Sequence, residues 1–324
     1  MGGVLSGNVL PTLVEVEAAR SRIAGSALRT PLVRLNADVA GGPEIYLKLE
    51  NLQPIGSFKI RGATNALARL SREALKRGVL TASAGNMAQG VAFAARRLGV
   101  QCTVVTPDTA PATKLAAVER LGGRIIKVSF DRWWQTFQER TYPGVEGTFI
   151  HAFDDLDVMA GNGTIGVEIV EDLPEVDAVV VPWGGGGLAC GIAATLHALR
   201  PNCRVWAAEV ASAAPLSPSW AAGEPRTVEY LASFVDGIGS RTVFPQMLAR
   251  ARSVLDGVLV ATVDEVGAAL RLLAERNRVI AEGAGACALA CALTGAAGRG
   301  RIACIVSGGN IDATKLGAIL TAAN

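Results

Sequence analysis

Histidine, lysine and aromatic residues are all scarce in this 324-residue sequence. Only His151 and His197 are present, far apart, so neither a zinc site nor a Ser-His-Asp hydrolase finds its usual parts. No stretch of about 18 residues is apolar and free of charge, so nothing here reads as a membrane span. Charge of one sign is also missing in bulk. The 31 basic and 29 acidic residues leave a formal net charge of +2, with no run of five like charges. Nucleic acid and anionic membrane surfaces are therefore not implied as partners. The six cysteines, Cys102, Cys190, Cys203, Cys287, Cys291 and Cys304, form no CxxC pair. They sit in apolar contexts and read as small core residues rather than a redox pair. Met1 to Val16 has no basic start, and Glu15 interrupts the apolar stretch, so it does not read as a secretory signal. A cytoplasmic location is the expectation.

Apolar residues are plentiful. They make up 50% of the chain, alongside 37 glycines. Short apolar runs alternate with helix-length segments. The runs predict strands at Ile45–Leu49, Val79–Ala82, Cys102–Val105, Ile125–Val128, Thr148–His151, Ala178–Pro182, Arg204–Ala208, Val258–Ala261 and Ile302–Val306. Helices are predicted at Lys59–Leu70, Met87–Leu98, Thr113–Leu121, Trp133–Thr141, Gly161–Asp172, Leu188–Leu199, Val263–Asn277 and Ile311–Leu320. The proline-bearing stretch Val210–Thr227 reads as a long loop. Alternation of this kind predicts an α/β fold with parallel sheets. Residues 48–151 hold a self-contained run of βα units and are expected to form a small domain. Residues 1–47 plus 152–324 are expected to form a larger one. Binding sites in such folds lie at the carboxyl ends of the strands.

Four strand-end segments could carry chemistry. Gly184-Gly185-Gly186-Gly187 follows an apolar run and precedes a helix. Its free amides suit a phosphate, without the lysine of a nucleotide-binding P-loop. Gly56-Ser57-Phe58-Lys59 places one of only six lysines at a helix start, with Ser57 as the expected cap. A cation there is disfavoured, which lowers an amine pKa and suits Schiff-base chemistry. Spacing alone leaves a solvated lysine as the plainer reading. Ser83-Ala84-Gly85-Asn86-Met87-Ala88-Gln89 offers amides to a carboxylate, or an ordinary helix cap. Ser307-Gly308-Gly309-Asn310 offers a hydroxyl after the last strand, or a plain glycine turn. Trp133 and Trp134 lie on a predicted helix and read as packing or a dimer contact.

In this order and spacing, the four segments resemble the fold-type II pyridoxal-phosphate enzymes, of which the tryptophan synthase β subunit is another member. The nearest likeness is to the serine/threonine dehydratase and serine racemase family. The resemblance spans Arg29-Thr30-Pro31-Leu32 to Asn310 and includes Leu47-Lys48-Leu49-Glu50-Asn51, Ala160–Gly166 and Asp236-Gly237. It implies two parallel-sheet α/β domains with pyridoxal 5'-phosphate between them, a small amino-acid substrate and a homodimer. By position it implies that Lys59 binds the cofactor covalently and exchanges the α-proton. Gly184, Gly185, Gly186 and Gly187 would cradle the phosphate. Phe58 would flank the ring, Asn86 would bond its hydroxyl, Ser307 would contact its nitrogen, and Glu282 would support it. Ser83, Ala84, Gly85, Asn86 and Gln89 would hold the substrate carboxylate. The implied reaction is β-elimination of water from a small 3-hydroxy amino acid such as L-threonine or L-serine, giving a 2-oxo acid and ammonia.

Departures from the family pattern are informative. Ala84 stands where the racemase carries its second base, which favours dehydration. Met87 replaces a usual histidine, and Asn162 a frequent glutamine, so hydroxyaspartate, a compatible-solute catabolite, β-replacement or racemisation stay open as alternatives. A non-enzymatic ligand-binding protein is a further one. Glu209 matches a metal-ligand position, but the carboxylate expected shortly after it is missing around Ala213–Pro215, so no metal is assigned. The sequence stops at Asn324, short of the regulatory domain of the biosynthetic threonine enzymes, so the resemblance implies no feedback by isoleucine.

Overall fold

The computed structural model describes residues 9–37 and 42–322; the ends of the expected larger domain, and the first half of Met1–Val16, lie outside the described residues. Among the described residues ten strands are present: β1 Leu32–Arg34, β2 Glu44–Lys48, β3 Val79–Ala82, β4 Cys102–Pro107, β5 Arg124–Val128, β6 Thr148–Phe149, β7 Ala178–Pro182, β8 Arg204–Val210, β9 Gly257–Ala261 and β10 Arg301–Ile305. They make two sheets, a six-stranded one in the order β1-β2-β10-β7-β8-β9 and a four-stranded one in the order β5-β4-β3-β6. Every pairing is parallel except β1 with β2. All strands of the smaller sheet fall between residues 79 and 149. Parallel sheets are covered on both faces, so their central strands tolerate no polar side. Accordingly every residue of β3 and of β7 is buried.

Among the described residues thirteen α-helices cover the sheets. The early ones are α1 Leu13–Ile23, α2 Lys59–Ala68, α3 Arg72–Lys76, α4 Asn86–Leu98, α5 Ala112–Arg120, α6 Phe130–Glu139 and α7 Leu156–Asp172. The later ones are α8 Gly187–Leu199, α9 Leu216–Ala222, α10 Pro245–Val254, α11 Val263–Leu272, α12 Gly283–Leu293 and α13 Ala313–Thr321. One core packs α12 and α11 on the large sheet, and a second packs α7, α8 and α10 on its other face. A third joins α2 and α4 to the small sheet. All six cysteines are free and buried in these cores.

Several elements differ from expectation, each for a physical reason. Strand β1 has three residues behind Pro31, too few to show alternation. Helix α1 has little amphipathic character, yet Thr12 and Glu15 form a capping box that starts it. Helix α12 is nearly all alanine, glycine, cysteine and leucine, buried all round, so it shows no stripe. Val210–Thr227 is not all loop. Helix α9 forms within it because Glu209 accepts both the Leu216 and Ser217 amides at 2.8 Å, supplying the cap its own sequence lacks.

A buried charge cluster links the two sheets' surroundings. Arg61 on α2 donates to Glu50 at 2.7 and 2.8 Å and to Glu168 on α7 at 2.7 and 2.9 Å. Lys48 at the end of β2 meets Glu168 at 2.6 Å and donates to the Thr30 carbonyl, also at 2.6 Å. All four charged side chains are buried. Burial alone would raise the Glu50 carboxyl pKa, but the Arg61 charge and hydrogen bonds hold it below the ordinary value. Removing one member of such a cluster strands the others. Glu168→Ala is expected to lower unfolding stability by about 3–5 kcal/mol in urea titrations. A loss below about 1 kcal/mol, the range of exposed pairs, would mean the cluster is effectively solvated.

Candidate active site

A cavity of about 530 Å³ opens where several strands end. Ser83 after β3, Ala152 after β6, Gly184 to Gly187 after β7 and Ser307 after β10 all face it. This is the carboxyl-end location that parallel sheets favour, because helix N-termini and loop amides converge there.

Lys59 is the first residue of α2 and reaches into this cavity. Its Nζ donates to the Ala152 carbonyl at 2.8 Å and sits 4.9 Å from the centre of the Phe58 ring. Burial lowers its pKa to about 8, while the charge of Glu282 pushes it back up. The expected lowering is therefore present, though burial is its main cause. Ser57 is not the cap of α2. Phe58 holds that position without a side-chain hydrogen bond, and Ser57 bridges instead to Gly308 in backbone pairing. The Phe58 amide donates to the Ser307 carbonyl at 3.0 Å, which fixes the approach to Lys59.

The glycine loop is sterically committed. A Cβ on Gly185 would fall within the ring of Phe153, and Gly186 has a φ of +93° against Trp183. Gly186 precedes α8, and no side chain caps that helix. The first-turn amides of a 13-residue helix thus stay available at the cavity.

Asn86, first residue of α4, donates to Glu282 at 2.8 Å and accepts from Asn310 at 2.8 Å. Asn310 also donates to the Ile55 carbonyl at 2.8 Å, tying the turn before Lys59 to Asn86. Burial raises the Glu282 pKa to about 7, opposed by the Asn86 hydrogen bond and the Lys114 charge. Ser83, Ala84 and Gly85 line the cavity beside Asn86, and the Gly85 amide donates to the Ser83 hydroxyl at 3.2 Å. Gln89 is buried one turn along α4 and does not face the cavity.

Other expected residues fall elsewhere. Glu209 spends both carboxylate oxygens on α9, and burial raises its pKa to about 7 against those two amides. No cluster of three or more metal-binding side chains occurs among the described residues. His151 is held neutral by burial, its pKa pushed down to about 3. Its Nδ1 accepts the Phe153 and Asp154 amides, so it shapes the turn that carries Phe153 and is no base. Trp133 and Trp134 do pack against Phe137, as expected, but both also face the cavity. Phe244, Ala152 and Asn310 had no assigned role. Only Asn310 lay in a segment singled out beforehand, and the aromatic spacing 130, 133, 134, 137 was the signal for a one-sided wall.

Comparison with known proteins agrees with this geometry. The family model for pyridoxal-phosphate dependent enzymes matches residues 23–308. The chain belongs to the pyridoxal-phosphate dependent enzymes. An L-threonine ammonia-lyase of Thermotoga maritima is 38% identical over 317 residues, 95% of this chain and 78% of that one. A catabolic L-threonine dehydratase of Staphylococcus aureus is 34% identical over 318 residues, 95% of this chain and 92% of its own. The serine racemase structure from Dictyostelium discoideum superposes with a TM-score of 0.84 at 34% identity, over 93% of this chain and 99% of that one.

The residues present fit the family's cofactor. It needs a cradle for a phosphate and an amine that is neutral at modest pH. The glycine loop at the start of α8 provides the first, and Lys59, with its lowered pKa, the second.

Two outcomes follow. Gly185→Ala is expected to weaken cofactor retention about ten- to hundredfold in dialysis and absorbance titration, the usual cost of overpacking. Unchanged retention would remove the loop from the site. In apoprotein, only the neutral amine of Lys59 attacks an aldehyde. Its rate of covalent attachment should therefore climb with pH to about 8 and level off above. A rate still climbing toward 10.5, the ordinary lysine value, would contradict the lowered pKa of Lys59.

Proposed function

We propose that this protein removes water from an L-3-hydroxy amino acid of the threonine and serine type, releasing a 2-oxo acid and ammonia. The observation that carries this reading is the meeting of one half-buried lysine of lowered pKa, a tetraglycine anion cradle and the Ser83–Asn86 turn on a single cavity. The curated relatives named L-threonine ammonia-lyase and L-threonine dehydratase support it.

In this reading the amides of Gly184, Gly185, Gly186 and Gly187 hold the cofactor phosphate, Ser307 contacts the ring nitrogen and Phe58 flanks the ring. Asn86 bonds the ring hydroxyl, with Glu282 and Asn310 fixing its amide. Bound pyridoxal phosphate supplies an electron sink for negative charge at the substrate Cα. Lys59 takes the α-proton, which its lowered pKa suits near neutral pH. Ser83, Ala84, Gly85 and Asn86 face the substrate carboxylate, with Gln89 behind them. The domain division at 1–47 plus 152–324 and 48–151 belongs to the same reading. It is supported by the segregation of β3 to β6 into their own sheet. A homodimer and a cytoplasmic location complete it, for sedimentation and cell fractionation to test.

Racemisation is the second reading, favoured by the serine racemase likeness. It requires a proton carrier on the opposite face of the substrate. Ala84, which faces the cavity with only a methyl group, cannot act as one.

Purified holoenzyme is expected to release ammonia and 2-oxo acid from L-threonine or L-serine. Lys59→Ala should lower that rate by at least about 10²–10⁴-fold, the worth of a positioned general base. Accumulation of D-serine without 2-oxo acid, or full activity in the variant, would defeat the proposal.

A further inference from the structure

Sixteen residues of this chain are aromatic, eight Phe, five Trp and three Tyr, and six of them form one continuous wall of the cavity. Helix α6 supplies four: Phe130, Trp133, Trp134 and Phe137, spaced to share one face. Ser129 caps the helix through the Arg132 amide, which fixes where that face begins. Phe153 and Phe244 complete the wall. Phe153 lies 5.6 Å from Phe137 and 5.3 Å from Phe244, and Trp134 stacks on Phe137 at 5.7 Å with planes 13° apart. Trp133 continues the wall to Phe130 at 5.4 Å. The wall begins at the reactive end of the cavity, because Phe153 follows Ala152, whose carbonyl holds Lys59 Nζ.

An ordinary core stripe would be buried throughout. Here Phe137 alone of the six is buried; Trp133, Trp134, Phe153 and Phe244 stay partly open, and Phe130 is 57% exposed at the rim. These rings keep faces and edges turned to the cavity. The methyl of threonine or the hydrogens of serine would touch little of such a surface. An aromatic ring would bury about 150–250 Å² and meet its neighbours in offset or edge-on geometry. Charge argues in the same direction. Of the cavity-lining cations, Lys114 is paired with Asp236 at 3.1 Å and Lys59 is the reactive amine. Among the described lining residues that leaves no free cation for a side-chain carboxylate, so the wall does not suit hydroxyaspartate.

We propose that this wall receives the β-substituent of the substrate, so that the protein prefers a 3-hydroxy amino acid bearing an aromatic ring at Cβ, with phenylserine the simplest, over serine and threonine. This rests on the elimination reading above. The reaction balances without an oxidant or reductant. Cα–H breaks and its proton passes to Lys59; Cβ–O breaks and hydroxide leaves, taking a proton to become water. The enamine left behind tautomerises, and water hydrolyses it to phenylpyruvate and ammonia.

The wall is tested apart from the chemistry by ligands that have no β-leaving group. In holoenzyme, L-phenylalanine is expected to bind at least about tenfold more tightly than L-alanine, read from the bound cofactor's visible absorbance. Trp134→Ala and Phe244→Ala should each bring that ratio close to one, and Trp134→Phe should keep it. Equal binding by the wild-type protein overturns the proposal even if both alanine variants fail to fold. So does a ratio that folded variants leave unchanged. Turnover is the second arm, with kcat/KM for L-threo-phenylserine expected to exceed that for L-serine and L-threonine at least about tenfold. A preference for serine or threonine overturns the proposal. Tighter binding of phenylalanine with no ammonia from any of the three hydroxy amino acids would instead sink the elimination reading and leave the wall standing.

Discussion

Two cations and two carboxylates, all buried, hold the start of α2 in place. Arg61 is two residues beyond Lys59, and its guanidinium spans Glu50 after β2 and Glu168 on α7. Lys48 closes the cluster against Glu168 from the large sheet. Burying four charges is costly unless each finds its partners, so the cluster permits one arrangement of β2, α2 and α7. Its benefit is less net stability than position. With Arg61 fixed, the first turn of α2 cannot rotate, and Lys59 must point at the Ala152 carbonyl.

The rest of the cavity depends on that fixed point. Residues 57 and 58 are pinned to the turn after β10, which brings Ser307 beside Phe58. Asn310 then joins the same turn to Asn86 on α4, and Asn86 to Glu282 before α12. Four segments distant in sequence thus converge through backbone pairing and neutral amides, with the charged cluster supporting them from beneath. The glycine loop is set by a separate constraint, the close approach of Phe153, and the turn carrying Phe153 is built on neutral His151.

Electrostatics inside the cavity are poised by burial. Lys59 has its pKa lowered to about 8 and Glu282 raised to about 7, so each favours its neutral form more than it would in water. The two shifts have the same origin, since a low-dielectric site penalises charge of either sign. Each charge also partly stabilises the other, which limits both shifts. An amine that can lose its proton near neutral pH is what covalent cofactor binding and α-proton transfer both require.

Some of this was determined by sequence alone. Glycine between a valine run and a helix, at Gly184–Gly187, needs no neighbours to be read, because the backbone freedom is local. Strands β2 to β10 and the β/α alternation were legible for the same reason, as parallel strands read as short, mostly apolar runs. The approximate place of Lys59 at a helix start was legible too. Other features were decided only by tertiary structure. Helix α12 is buried on every side, so its sequence has no period to read. Helix α9 starts on a cap lent by Glu209 from the preceding strand, and that carboxylate looked like a metal ligand until its partners were in place. The aromatic residues of α6 were visible as a stripe, but a stripe does not state what it faces. Packing α6 beside Phe153 and Phe244, residues 16 and 107 positions beyond Phe137, turned it into a cavity wall. Local backbone chemistry is written in neighbouring residues, whereas the facing of a surface depends on chain that arrives from far away.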